Sequence, residues 1–239
     1  MPDPRHHIFA YVDIEGSSGL ATPDKEQAQK DLAAMLETAC AKAGVNGAAW
    51  EDRGDGYLLV SRADDVPLRT VVAAFAGSLD AALAARTVGQ TRLRLRLIVH
   101  NGEILRGERG WRGPGLDHAA RLVDAPEVKQ ALKDTPDGRM AFVIAPELYR
   151  SVVRGYEDPD PVAFRKRRLS AKEGTLEAWL TITGAAVQPG READEETASP
   201  APAALPGQTI NTVGNVTDSQ IGNTAGHDNT YRTDRTAGQ

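Results

Sequence analysis

The sequence predicts an α+β fold, a mostly antiparallel sheet with helices packed on one face. Three observations carry this. Strand-like and helix-like runs alternate irregularly from residue 7 to 183, so a regular βαβ repeat is excluded. An Asp-Gly pair between two short apolar segments, in "AAWEDRGDGYLLVS", marks an adjacent hairpin and hence antiparallel pairing. Apolar residues make up 41% and charged residues 26% of 239, enough to build one sizeable core.

Each element follows from its local pattern. Residues 7 to 14 read as a strand, since Ile8, Phe9, Tyr11 and Val12 are strand formers bounded by glycine and serine. From Lys25 to Ala43, Leu32, Met35 and Leu36 recur at helical spacing, and Gly44 is the stop. The hairpin follows, then a helix from Leu68 to about Arg86 carrying Val71, Val72, Phe75, Leu79 and Leu83. "TRLRLRLIVHNGE" alternates Arg with Leu before turning apolar, the pattern of a strand with one wet face or edge that turns at Asn101-Gly102. A helical segment over Leu116 to Lys133 should break at Pro126. "RMAFVIA" reads as a strand, "PELYRSVV" as a short helix with Pro146 in its first turn, and "TLEAWLTIT" as a closing strand.

Composition changes after Thr183. We expect a globular domain over 1–183, a flexible Ala/Pro/Glu/Gly-rich linker over 184–208, and an Asn/Thr/Gly-rich tail over 209–239. The tail reads either as a disordered end or as a short β-forming motif that recruits a protein partner, since "NTVGN" and "SQIGN" echo each other and resemble amyloid-type signalling motifs. A net charge of −5 gives no bulk attraction to nucleic acid, and no apolar run is long enough to span a membrane. A lone cysteine, Cys40, and the absence of a signal-peptide pattern fit a cytoplasmic protein.

Asp13 and Glu15 stand where the first strand ends, and an ionised carboxylate there is costly without a partner. If the first strand and the hairpin are neighbours, Asp13 and Asp55 converge, and two close carboxylates repel unless a cation sits between them. Magnesium held by one or two carboxylates, with substrate phosphates completing its shell, is a recurring arrangement. The expected partner of Asp13 is therefore a metal ion shared with Asp55.

These motifs together resemble the class III nucleotidyl cyclases, the catalytic domains of adenylyl and guanylyl cyclases. "VDIEGSS" resembles the first metal motif, with Ser17 at the usual Phe position, and "EDRGDG" resembles the second. "LRLRLIVHNGEILRGERGWRGPGLDHAARL" follows the later course of the family, with His100, Gly102, Gly113, Ala119 and Arg121 in step. The resemblance implies a ferredoxin-like, cyclase-type fold over residues 7 to 183.

It further implies Mg²⁺ or Mn²⁺ held by Asp13, Asp55 and the Ile14 carbonyl. Glu51 falls at the purine-selecting position, where a carboxylate accepts hydrogen bonds from guanine and so favours GTP. Gly54 lies in the same hairpin motif, and Trp111 lies near the second base-contacting position. Arg121 matches the transition-state arginine and Lys172 a triphosphate-binding lysine, while Asp117 stands where asparagine is usual. The implied protein is a head-to-tail homodimer that cyclises a nucleoside triphosphate in signalling. Alternatives are a nucleotide-binding module with little turnover, favoured by Ser17 and Asp117, or a pyrimidine cyclase of anti-phage signalling.

Overall fold

The computed structural model describes residues 3–86, 92–108, 110–172 and 174–185. The chain divides into the units Met1–Asp194 and Glu195–Gln239. Apart from Gly184 and Ala185, the expected linker and tail lie outside the described residues.

Among the described residues eight strands form one sheet: β1 (Arg5–Ile14), β2 (Ala49–Asp52), β3 (Gly56–Arg62), β4 (Leu95–Gly107), β5 (Gly110–Arg112), β6 (Met140–Ile144), β7 (Arg165–Ala171) and β8 (Gly174–Thr183). Their order is β2-β3-β1-β4-β6-β8-β7, with β5 pairing the far end of β4. All pairings are antiparallel except β4 with β6, which makes the sheet mixed.

The helices are α1 (Thr22–Ala43), α2 (Ala76–Ala84, preceded by a π-helical turn over Thr70–Phe75), α3 (Pro114–Asp124), α4 (Pro126–Lys133) and α5 (Pro146–Leu148, continued by a π turn over Tyr149–Val153). On α1, Ala28, Leu32, Met35, Leu36, Ala39 and Cys40 are buried, one apolar stripe at i, i+4, i+7, i+8, i+11 and i+12. Gly44 ends this helix in the left-handed region at φ 69°. Pro126 separates α3 from α4 because Ala125, ahead of the proline, is pushed into extended backbone at ψ 134°.

Strand β1 sits between two apolar layers, and its alternation distributes side chains to both. Ile8, Ala10, Val12 and Ile14 join one core with α1, α2 and α5. Phe9 and Tyr11 join the other with α3 and α4. The α+β class holds, but the expectation of helices on one face covers only the first layer. A central strand buried on both sides needs a second cover, which α3 and α4 supply.

Two further readings are corrected. Asn101-Gly102 does not end its strand: both residues stay in the ladder opposite Ile8 and His7, and β4 runs on to Gly107. Nor do Arg94 and Arg96 line a wet face, although Arg92 is exposed. Arg96 is only 7% exposed, and Arg94 reaches Glu15 at 3.2 Å. Strands β5 and β7 were absent from the sequence reading. No helix among the described residues is long and apolar enough to cross a membrane.

Cys40 is buried on the core side of α1, and burial pushes its thiol up to about 11. The reactive thiolate is then scarce at neutral pH. Alkylation by iodoacetamide at pH 8 is expected to proceed only in denaturant; rapid labelling of the folded protein would contradict this placement.

Candidate active site

Asp13 is the last residue but one of β1, with its side chain on the α3/α4 side, in step with Phe9 and Tyr11. It lies directly across the ladder from Arg96 on one side and Gly56 on the other. A Cβ on Gly56 would fall 1.9 Å from the Val12 carbonyl oxygen, so glycine is what lets the hairpin strand approach β1 here. Immediately before it, the Asp55 carbonyl accepts from the Ile14 N–H at 3.1 Å, and its carboxylate accepts from the buried Ser17 hydroxyl at 3.2 Å. Asp13, Ile14 and Asp55 thus share one end of the sheet.

The neighbour that compensates Asp13 is a residue the sequence reading overlooked. Arg96 donates from Nε at 2.8 Å and from Nη2 at 2.5 Å, a two-pronged ion pair between side chains 5% and 9% exposed. This corrects the expectation that a metal ion is the partner Asp13 requires. A signal was available, because the Arg-Leu alternation puts Arg96 at a two-residue period beside a strand that needs a counter-charge.

Burial nevertheless dominates, with a smaller push from Asp55, and lifts Asp13 to about 6 despite Arg96. The phenol of Tyr11 is raised by burial and then by Asp13 and Asp55, so it shares the same crowded field.

No group of three or more His, Cys, Asp or Glu suited to a metal occurs among the described residues. Asp13, Asp55 and the Ile14 carbonyl are hard oxygen donors of the kind magnesium takes, too few to enclose an ion by themselves. The push of Asp55 on Asp13 is the repulsion such an ion would relieve.

Glu51 lies on β2. Its Oε2 accepts from the Trp111 N–H at 3.1 Å, and its Oε1 lies 2.8 Å from Arg53 Nη2. A Cβ on Gly110 would fall 2.6 Å from both carboxylate oxygens, and Gly110 has φ 102°, so the β5 backbone can approach only as glycine. Trp111 thus meets Glu51 through its backbone, while its ring meets His7 edge-on at 4.9 Å. In the hairpin turn, Gly54 has φ 89°, its N–H donates to Asp52 at 2.7 Å, and its carbonyl accepts from Gln29.

Asp117 and Arg121 lie four residues apart on α3, both exposed on the same helical face. The first turn of α3 is fed by Gly113, where a Cβ would clash at 2.8 Å with the Glu103 carbonyl oxygen. Lys172 is exposed in the turn joining β7 to β8. Within one chain the residues therefore form separate groups: the carboxylate pair with Arg96, the Glu51 strut, the α3 pair, and Lys172.

Solved structures share this architecture. Adenylate/guanylate cyclase/hydrolase from Silicibacter pomeroyi aligns at TM-score 0.54 and 18% identity, over 75% of this chain and 97% of that one. The guanylate cyclase domain of RhGC from Catenaria anguillulae, in complex with GTP, aligns at 0.52 and 16%, over 78% and 100%. The chain has the fold of a nucleotide cyclase catalytic domain. The guanylyl cyclase domain of the RhoGC fusion protein from Blastocladiella emersonii, in an atypical dimer, aligns at 0.51 and 16%, over 78% and 100%. No protein-family model and no curated protein matches the chain. At these identities the cyclase likeness is one of fold.

Proposed function

We propose that this protein is a nucleotidyl cyclase that converts a nucleoside triphosphate, GTP by preference, into a 3′,5′-cyclic nucleotide and pyrophosphate. The observation that carries the reading is the convergence of Asp13 and Asp55 at one end of a cyclase-fold sheet. The neighbours add support, since one holds GTP and another is dimeric.

In this reading Asp13, Asp55 and the Ile14 carbonyl hold Mg²⁺ or Mn²⁺, which would acidify the ribose 3′-hydroxyl and neutralise the phosphates. Arg96 keeps Asp13 in place before substrate arrives, and its fork suits a phosphate as well as a carboxylate. Arg121 and Lys172, contributed by the second subunit of a homodimer, stabilise charge on the α-phosphate and hold the triphosphate. Asp117 lies one turn from Arg121 and faces the ribose. The 3′-oxygen forms a bond to the α-phosphorus, the bond to the pyrophosphate oxygen breaks, and the hydroxyl proton leaves to solvent.

Glu51 is the proposed guanine acceptor, with Gly54 and Trp111 shaping the same pocket edge. Its existing bonds to Trp111 and Arg53 favour a second reading, in which its carboxylate is a strut and the preferred base is a pyrimidine or the domain binds nucleotide without turnover. Incubation of the protein with each of four nucleoside triphosphates and Mn²⁺ separates these. Product from GTP supports the first reading, product from CTP or UTP the second, and no product leaves a binding module. Glu51→Gln is expected to lower GTP turnover by about tenfold relative to ATP, since an amide cannot accept twice from the guanine edge. An unchanged ratio removes Glu51 as selector.

A further inference from the structure

Above the α3 pair lies a buried imidazole that the reaction as described does not use. His100 stands directly across from Phe9 in the ladder, and the two rings stack at 5.5 Å with their planes 6° apart. Its Nδ1 lies 2.7 Å from the Asn101 carbonyl oxygen, and a carbonyl only accepts, so that nitrogen carries the hydrogen. Burial disfavours the charged ring, and the Glu147 carboxylate at 3.9 Å stands beyond hydrogen-bond reach of Nε2, which leaves that nitrogen as a bare acceptor. His118 Nδ1 lies 2.9 Å from it and therefore donates. The chemistry places a hydrogen on Nδ1 of both rings and leaves Nε2 of His100 as the acceptor between them.

His118 follows Asp117 and precedes Arg121 by three residues on α3. Elsewhere on this helix Ala119, Leu122 and Val123 face the core, Gly115 packs against the edge of Phe9, and near the last turn the Val123 carbonyl accepts from Arg96 Nη1 at 3.5 Å. Close packing holds the helix in place, and a hydrogen bond adds a directional constraint because it weakens steeply as its angle departs from linear. A side chain reaching about 5–6 Å from that axis moves by about 2 Å for a 20° turn. Displacements of about 1 Å at a reacting group cost about a hundredfold in rate.

We propose that the hydrogen bond from His118 on α3 to the sheet-anchored His100 fixes the rotational phase of α3, and so aims Arg121 and Asp117 at the substrate. Both histidines are positioning residues, and neither touches the nucleotide. The proposal rests on the cyclase reading for its catalytic consequence but not for its structural one.

The test compares His118→Leu, which removes the donor, with His118→Asn, whose amide nitrogen lies where Nδ1 was. In the wild-type protein, nitrogen-15 imidazole spectra should show Nδ1 protonated on both rings and Nε2 of His100 bare. His118→Leu is expected to lower kcat by about tenfold or more with KM within about twofold, and His118→Asn to recover most of it. A crystal structure of His118→Leu should show α3 turned about its axis. The proposal is overturned by an Nδ1 on His118 that carries no hydrogen, by equal impairment in both variants, or by an α3 that superposes on the wild type. If the wild-type chain turns over no nucleotide, the cyclase reading falls, and the spectra and the variant's structure still decide the proposal.

Discussion

Arg96→Met is expected to lower the stability of the folded domain by about 3–5 kcal/mol, because it leaves the Asp13 carboxylate buried beside Asp55 with no counter-charge. Denaturant unfolding of the wild type and variant at pH 8 measures the loss. The pair should couple strongly. Asp13→Leu combined with Arg96→Met should cost less than Arg96→Met alone, since apolar groups of similar volume need no partner.

The pH dependence has a definite sign. Asp13 is raised from 3.8 to about 6 in the fold, so its neutral form is the one the fold favours. That contribution is fully present below the unfolded value and lost as pH rises through about 6. Without Arg96 the carboxyl titrates higher still, so the damage done by Arg96→Met should be greatest at alkaline pH and shrink as pH falls to 6 and below. A loss under 1 kcal/mol at pH 8, or one that grows on acidification, would show that Arg96 is not what sustains the buried carboxylate.

Asp55→Asn should reduce turnover by at least about a hundredfold, the scale of deleting one charge-stabilising group from an active site, while leaving the fold intact. The fold survives because Asp55 holds β1 through its backbone carbonyl, which any residue supplies, and among the described residues its side chain accepts one hydrogen bond, from Ser17. Asparagine retains an acceptor for that serine but loses the charge a divalent ion needs. Steady-state rates with Mn²⁺, alongside melting curves and size-exclusion profiles, separate the outcomes. Activity above a tenth of the wild type would remove Asp55 from the metal site.

Local pattern made much of the architecture legible. The α1 stripe, the Gly44 stop, the Pro126 break and the Asp-Gly hairpin each depend on neighbours within a turn or two of the same residue. The carboxylate pair was also legible, since Asp13 and Asp55 occupy strand and hairpin positions that an antiparallel ladder brings together. Strands β5 and β7 were not. Gly110–Arg112 is too short to show alternation, and Arg165–Ala171 is too charged to read as a strand. Each exists through its pairing with β4 or β8.

What the sequence by itself determined is most of the elements, all but β5 and β7, with approximate bounds for those except the end of β4, and the places of Asp13 and Asp55 at a strand end and a hairpin turn. The tertiary structure alone decided which partners those acids and their neighbours take. Arg96 answers Asp13 from 83 positions away, Trp111 reaches Glu51 across 60, and His118 meets His100 across a helix–sheet contact. The physical reason is that strand and helix periodicity are set by short-range backbone geometry. The neutralisation of a buried charge or polar atom depends instead on cross-strand register and on the second helical layer, which only the assembled fold defines.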